Sequence, residues 1–387
     1  MKKIIPFTLS FLLVATLCSC NQVVPNKESN SVGLSPEKVI NFTKSGLTYE
    51  ITSSTEVTLK RASNRVTVAN LTSTVTYDNQ TYRITSIGDT AFCDCTDLIL
   101  VTIPSSVTSL GNEAFFGCIR LASISIGDSV RCIGNAAFSH CSNLDSINIP
   151  YSVKRIGDMA FSNCTKLTSI SIPRSVIRIG NRAFSNCIGL TSIIIPSSVT
   201  SIGDRVFYRC SSLKSIVVEA ANPRYDSRNN CNAIIETAKN KLIIGIKSTI
   251  IPNNVTCIGD KAFYYCYDLK YITIPNNVTS IGNEAFYNCY GLKYVKIPNS
   301  VTSIGREAFY NCYGLKSVTI PNNVTSIENK AFYNCHGLKS ITIPNSVTRI
   351  EDEAFWGCSS LTSITIPKSV THVDADAFPE HTRIICK

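Results

Sequence analysis

Methionine and tryptophan are nearly missing from this chain. Two Met and one Trp stand among 387 residues, so the aromatic surface is left to 16 Tyr and 16 Phe. Histidine is scarce too. None of His140, His336, His372 and His381 pairs in sequence with an obvious Ser–Asp or Cys–Asn partner. No GxSxG, HExxH, Walker A or GxGxxG motif occurs, and carboxylates such as Glu351, Asp352 and Glu353 fall on turn positions where solvent satisfies them. Nothing therefore asks for catalysis, a catalytic residue or a cofactor. After residue 17 no apolar run reaches the ~18 residues that a membrane helix requires. Basic residues outnumber acidic ones by 37 to 27, but the excess is spread along the chain, which argues against a nucleic-acid arm. Disorder is excluded from the other side, because 44% of the residues are hydrophobic.

What is present begins with a leader. Met1-Lys2-Lys3 is a short basic stretch and Ile4 to Leu17 an apolar one, too short to span as a mature helix. The run closes on Leu17-Cys18-Ser19-Cys20, which resembles a bacterial lipoprotein signal. That resemblance implies cleavage after residue 19 and acylation of Cys20, anchoring the protein to a membrane by lipid alone. Asn21 in place of Asp favours the outer membrane in that signal type. Residues 20–35, polar with Pro and Gly, read as a tether.

Beyond the leader the chain repeats. Phe recurs every 23 residues from Phe92 to Phe207 and again from Phe263 to Phe378. Cys follows three residues after eleven of these, so eleven of the 18 Cys are in register. The unit reads C-x-x-L-x-x-I-x-I-P-x-x-V-T-x-I-G-[ND]-x-A-F-x-x-C. Leu167, Ile170 and Ile172 end in period-two alternation and suit a strand, which Pro173 stops because it cannot donate to a ladder. Val199 and Ile202 suit a second brief strand. Gly then turns the chain, and Asn or Asp follows in ten of twelve units, as an N-cap for about one helical turn over A-F-x-x-C. One unit cannot bury its own apolar side chains. Stacking the next buries eight, a gross gain of roughly 10–15 kcal/mol per coil, so stability belongs to coil–coil interfaces.

Spacing, Pro, Gly-Asn/Asp, Ala-Phe and Cys recur together over about residues 84–380, and this unit resembles the leucine-rich repeats of BspA-like bacterial surface proteins. The resemblance implies a β-rich solenoid, a right-handed leucine-rich repeat coil of about twelve 23-residue units with short strands and one-turn helices. It also implies adhesin-like binding of host matrix or plasma proteins such as fibronectin and fibrinogen, by a lipid-anchored monomer, and supplies no catalytic residues. A surface glycan-binding protein assisting nutrient capture is the alternative.

The organisation that follows is a signal peptide (1–19), the tether (20–35), a β-rich N-terminal cap (36–86) and a first repeat block (87–218). A hairpin-like insert (219–250), a second block (251–378) and a C-terminal cap (379–387) complete it. The register cysteines lie between core Phe and Leu and read as packing thiols. Cys93, Cys132, Cys231, Cys257 and Cys386 are off register, and Cys93-Asp94-Cys95 lacks the second pair that a zinc site needs, so no metal is expected.

The second block concentrates ten tyrosines: Tyr264, Tyr265, Tyr267, Tyr271, Tyr287, Tyr290, Tyr294, Tyr310, Tyr313 and Tyr333. Lys270, Lys293, Lys316 and Lys339 recur at one position after the repeat Leu, with Lys296 beside them. Tyr offers rigid contact area at low entropic cost, and a file of like charges is relieved by an opposing one. The stripe over residues 264–339 is thus the candidate surface for an acidic protein or a glycan. Recent duplication of near-identical coils would produce the same stripe without any ligand.

Overall fold

A computed structural model describes residues 39–386. The signal peptide, Cys20 and the tether lie outside the described residues.

The unit closes into a coil whose three sides are set by three kinds of backbone. The L-x-x-I-x-I side forms short parallel strands, among them Leu100–Thr102 with Ser123–Ser125, and Tyr271–Thr273 with Tyr294–Lys296. The V-T-x-I side forms a second parallel ladder. Its register is the period itself: Cys132 lies opposite Arg155, Arg155 opposite Arg178, and Ser280 opposite Ser303. Inside, one coil buries Leu167, Ile170, Ile172, Val176, Ile179, Ala183, Phe184 and Cys187 together. The phenylalanines stack ring on ring between coils, from 4.9 Å for Phe92–Phe115 to 5.9 Å for Phe184–Phe207. With the cap and insert turns, the solenoid has about 14 turns rather than the twelve read from Phe alone.

The third side corrects an expectation. Asn/Asp-x-Ala-Phe-x-x-Cys is a string of turns, not one helical turn. Glu113 and Gly117 have φ of 54° and 70°, and the equivalent residues of the other coils up to Glu353 and Gly357 are likewise left-handed. With left-handed residues at Glu113 and Gly117, the amides of Glu113, Phe115 and Gly117 point along the stack, onto the carbonyls of Asn135, Ala137 and Ser139 at 2.8–2.9 Å. An α-helix would return those amides to its own chain, so inter-coil bonding outcompetes it. The Asn/Asp residue is accordingly no N-cap. Asn112 Oδ1 accepts from the Asn135 amide at 2.9 Å, and Asn135 Oδ1 from the Asp158 amide at 2.9 Å. The glycine before it permits this approach: a Cβ on Gly157 would stand 2.5 Å from the Gly134 carbonyl oxygen.

Asn41–Lys44, Leu47–Ile51, Glu56–Ala62 and Gln80–Ile87 enter the first ladder ahead of Ser109–Leu110. They contribute Val57, Leu59 and Ile84 to the core. Ala233–Glu236 and Lys241–Gly245 form an antiparallel hairpin, joined by a 3-10 turn at Thr237–Lys239. Lys241–Gly245 then pairs in parallel with Cys257–Ile258, so the hairpin takes a coil's place in the ladder. Gly245 has no side chain because the Phe263 ring lies where its Cβ would be. At the far end Arg383–Cys386 pairs with Ser363–Ile366.

Candidate functional site

The tyrosines of the second block fall into files because the repeat places equivalent residues one above another. Tyr264, Tyr287, Tyr310 and Tyr333, each following a core Phe, stack at 5.0, 4.6 and 4.6 Å. Tyr267, Tyr290 and Tyr313, each following a register Cys, stack at 4.9 and 4.7 Å and end on His336 at 4.9 Å. Tyr271 and Tyr294 form a third, two-ring file on the strand side at 6.1 Å, and are exposed. The first file is half-buried, and burial pushes Tyr264 up to about 12 and raises Tyr287.

Lys270, Lys293, Lys316 and Lys339 form the adjoining file, exposed and held in line by backbone bonds such as the Lys293 amide to the Lys270 carbonyl at 2.9 Å. The acidic groups of this block pair elsewhere: Asp268 with Lys247, Glu284 with Lys261 and Glu353 with Lys330. The four file lysines and Lys296 have no acid partner among the described residues. Among the described residues this part of the molecule thus carries both aromatic rings and positive charge that no acid neutralises.

Two further features escape sequence reasoning. In the first block the strand-side ladder thins to one bridge, Asn148 with Ser171. A groove of about 790 Å³ crosses it, lined by Ser146, Asn148, Ser169, Ser171 and Ser192. Tyr151 stands at its edge, 81% exposed. Arg174 closes the other side on Glu219 through Nη2–Oε1 at 2.9 Å and Nε–Oε1 at 3.0 Å. Hydrogen bonds from Arg174 and from the Ser197 amide hold the Glu219 carboxyl below the usual range. Serine alternation announces a polar face, but not where the ladder opens.

The second is a cavity of about 290 Å³ where the hairpin meets the flanking coils. Tyr264, Tyr265 and Tyr267 border it, so the tyrosine files begin at its wall. Arg205 lies over Tyr264 at 4.5 Å, and Arg209 packs against Tyr208 and Tyr265. A signal for it exists in the sequence: Val206-Phe207-Tyr208-Arg209-Cys210 departs from the unit immediately before the insert. Only the fold brings Arg209 to Tyr267, 58 residues on.

A family model for the BspA type leucine rich repeat region matches residues 85–214, 132–266 and 256–385. A leucine rich cell surface protein from Faecalibacterium prausnitzii is 29% identical, with a TM-score of 0.66 over 88% of this chain and 96% of that one. A leucine-rich repeat protein from Bacteroides ovatus is 30% identical, with a TM-score of 0.54 over 89% and 99%. The pneumococcal vaccine antigen PcpA shares the fold at a TM-score of 0.73 and 22% identity, over 90% and 98%. No curated protein matches.

Proposed function

The chain belongs to the BspA type leucine-rich repeat family, and from that premise we propose that it is a non-catalytic binding protein displayed on the cell surface. The stacked tyrosine and lysine files would be its contact surface and an acidic host matrix or plasma protein its partner. One observation carries this reading: four successive coils each present an exposed lysine without an acid partner among the described residues, and the same coils carry files of stacked tyrosine rings. The likeness to a Faecalibacterium cell surface protein supports the location. Among the described residues no helix is long and apolar enough to cross a membrane. Attachment to the outer membrane would be through acylated Cys20, on the strength of the lipoprotein-like sequence that ends there. A monomer suffices, because the surface lies within one chain.

Replacing Lys270, Lys293, Lys316 and Lys339 together by Ser tests the reading. Retention on immobilised matrix and plasma proteins should fall at least ten-fold, and retention by the unaltered chain should weaken as salt rises. Unchanged retention would remove the files from consideration. Glycan capture is a second reading, favoured by the Ser/Asn-lined groove with Tyr151 at its edge. It requires that soluble saccharides compete, and that Tyr151→Ala abolishes the competition.

A further inference from the structure

The coils bordering the insert break two rules that the others keep. The residue before each register Cys is left-handed, and elsewhere it is Asp94, Gly117, His140, Gly357 or an Asn such as Asn163 and Asn288. Asn, Asp and Gly enter that region most readily, whereas bulky side chains enter it at a cost. Arg209 and Tyr265 occupy it, with φ of 58° and 61°, and both line the 290 Å³ cavity. Left-handed bulky residues are tolerated at the other turn position of regular coils, as at Met159 and Arg182, so what sets Arg209 and Tyr265 apart is the large side chain that each places before the register Cys and into one cavity.

The second rule concerns charge. Around the cavity most cations are matched: Arg224 with Glu236 at 3.6 Å, Lys247 with Asp268 at 3.6 Å, Lys261 with Glu284 at 3.3 Å. Arg209 is not. Its Nε donates to the Tyr267 hydroxyl at 2.7 Å. Its guanidinium carbon lies 5.2, 5.2 and 5.7 Å from the rings of Tyr208, Tyr265 and Tyr267. Among the described residues no carboxylate is in ion-pair range of it, and its two Nη groups have no protein acceptor. An exposed arginine is ordinary, but one fixed in place by three rings and a short hydrogen bond is a prepared donor.

We propose that this cavity binds a single acidic sugar residue, its carboxylate received by the Nη edge of Arg209 and its ring laid against the surrounding tyrosines. A carboxylate matches the flat two-donor edge of a guanidinium. The volume lies near the lower end of small-molecule pockets, about 300 Å³, which suits one monosaccharide. Tyrosine faces accept the C–H face of a sugar. The charge pairs in the wall, Arg224–Glu236 and Lys247–Asp268, present donors and acceptors together, as hydroxyl groups require and an apolar guest does not. This site is separate from the lysine file and stands whether or not the files bind a protein.

The full chain is titrated calorimetrically with glucuronate, galacturonate and N-acetylneuraminate, and with glucose, acetate, inorganic phosphate and acetylglycine as partial probes. At least one acidic sugar should bind at least ten-fold more tightly than every partial probe. Arg209→Asn and Tyr265→Asn restore the residue that regular coils carry there, so both variants should fold, as circular dichroism checks. Each should weaken the sugar at least ten-fold, and Arg209→Asn, which lies outside the tyrosine and lysine files, should do so while leaving retention on immobilised protein unchanged. Failure of all three sugars overturns the proposal. Equal binding of acetate, phosphate or acetylglycine overturns it as well, as does unaltered affinity in both variants.

Discussion

Cys118 sends its thiol hydrogen to the Phe92 carbonyl at 3.1 Å, and Cys141, Cys164 and Cys187 do the same one coil further each time. The sulfur thus serves as a core side chain and as one rung of an inter-coil ladder. Burial pushes the Cys187 thiol up to about 12 and raises Cys164 and Cys289. A raised thiol pKa leaves little thiolate at pH 8, and the thiolate is the reactive form. Mass-spectrometric mapping after iodoacetamide treatment of the folded chain at pH 8 should therefore find exposed Cys386 labelled and these column thiols unlabelled until denaturant is added. Labelling of the column at the rate of Cys386 would contradict the packing. Glycine permits a second check at this scale. Gly157→Ala drives a methyl into the Gly134 backbone, which has no room to yield. It should lower the melting temperature far more than Ser175→Ala, which loses one hydroxyl bond to the Val153 carbonyl. Which residues are inside was legible here, because the period assigns every Leu, Ile, Val, Phe and Cys a place. Their hydrogen-bond partners were not, since each lies on another coil.

Among the elements, the turn side shows where local reasoning fails. Gly-Asn/Asp-x-Ala-Phe carries the composition of a helix start, and a single coil offers nothing to contradict it. Stacking supplies a competing acceptor for each amide one coil away. The Asn/Asp side chains then join the same ladder, from Asp89 to the Asn112 amide at 2.6 Å and onward to Asp204. In the second block it runs Asp260, Asn283, Arg306, and arginine has no acceptor with which to continue. Asn135→Ala should cost about 1–3 kcal/mol by orphaning the Asp158 amide, and Asn135→Asp little, because an acceptor remains. Equal costs in chemical denaturation would count against the ladder.

The hairpin insert is tied by a different device. Burial pushes the Asp226 carboxyl up, but bonds from the Arg228 guanidinium and amide and from Thr237 outweigh it and hold it below the ordinary value. Arg228 reaches on to Asn240 Oδ1 at 2.8 Å. A carboxylate with a depressed folded pKa contributes stability that is complete above its unfolded value and lost as pH falls through the folded one. Amide exchange across Tyr225–Asp226 and Ala233–Glu236 should therefore accelerate below the usual aspartate range, relative to Cys132–Ile133. Asp226→Asn should abolish that difference.

For the molecule as a whole, the decisive fact is a period interrupted once. The 23-residue recurrence makes the solenoid legible, because only stacked coils can bury what each repeat exposes. The ligand surface was legible in part: the tyrosines and lysines repeat and could be counted, whereas the cavity at Arg209 joins residues from two blocks and an insert, which no local pattern brings together. The same interruption divides the interior. Buried side chains separate into one cluster from Phe42 to Ile246 and another from Cys231 to Phe378. The hairpin is shared, giving Ile234 to the first and Ala233 and Ile235 to the second. Phenylalanine stacking runs unbroken within each, from Phe92 to Phe207 and from Phe263 to Phe378. In a solenoid, cooperativity is carried by interfaces between neighbouring coils, so an interface holding a cavity in place of a ring stack is where it should fail. Urea unfolding followed by hydrogen exchange should show the two blocks losing protection at different denaturant concentrations. Phe161→Ala should cost about 3–5 kcal/mol and shift the first block's transition, leaving that of the block containing Phe309 in place. A single transition in which Phe161→Ala moves both blocks equally would mean that the hairpin transmits stacking as well as a regular coil does, and that the cavity is no weak point.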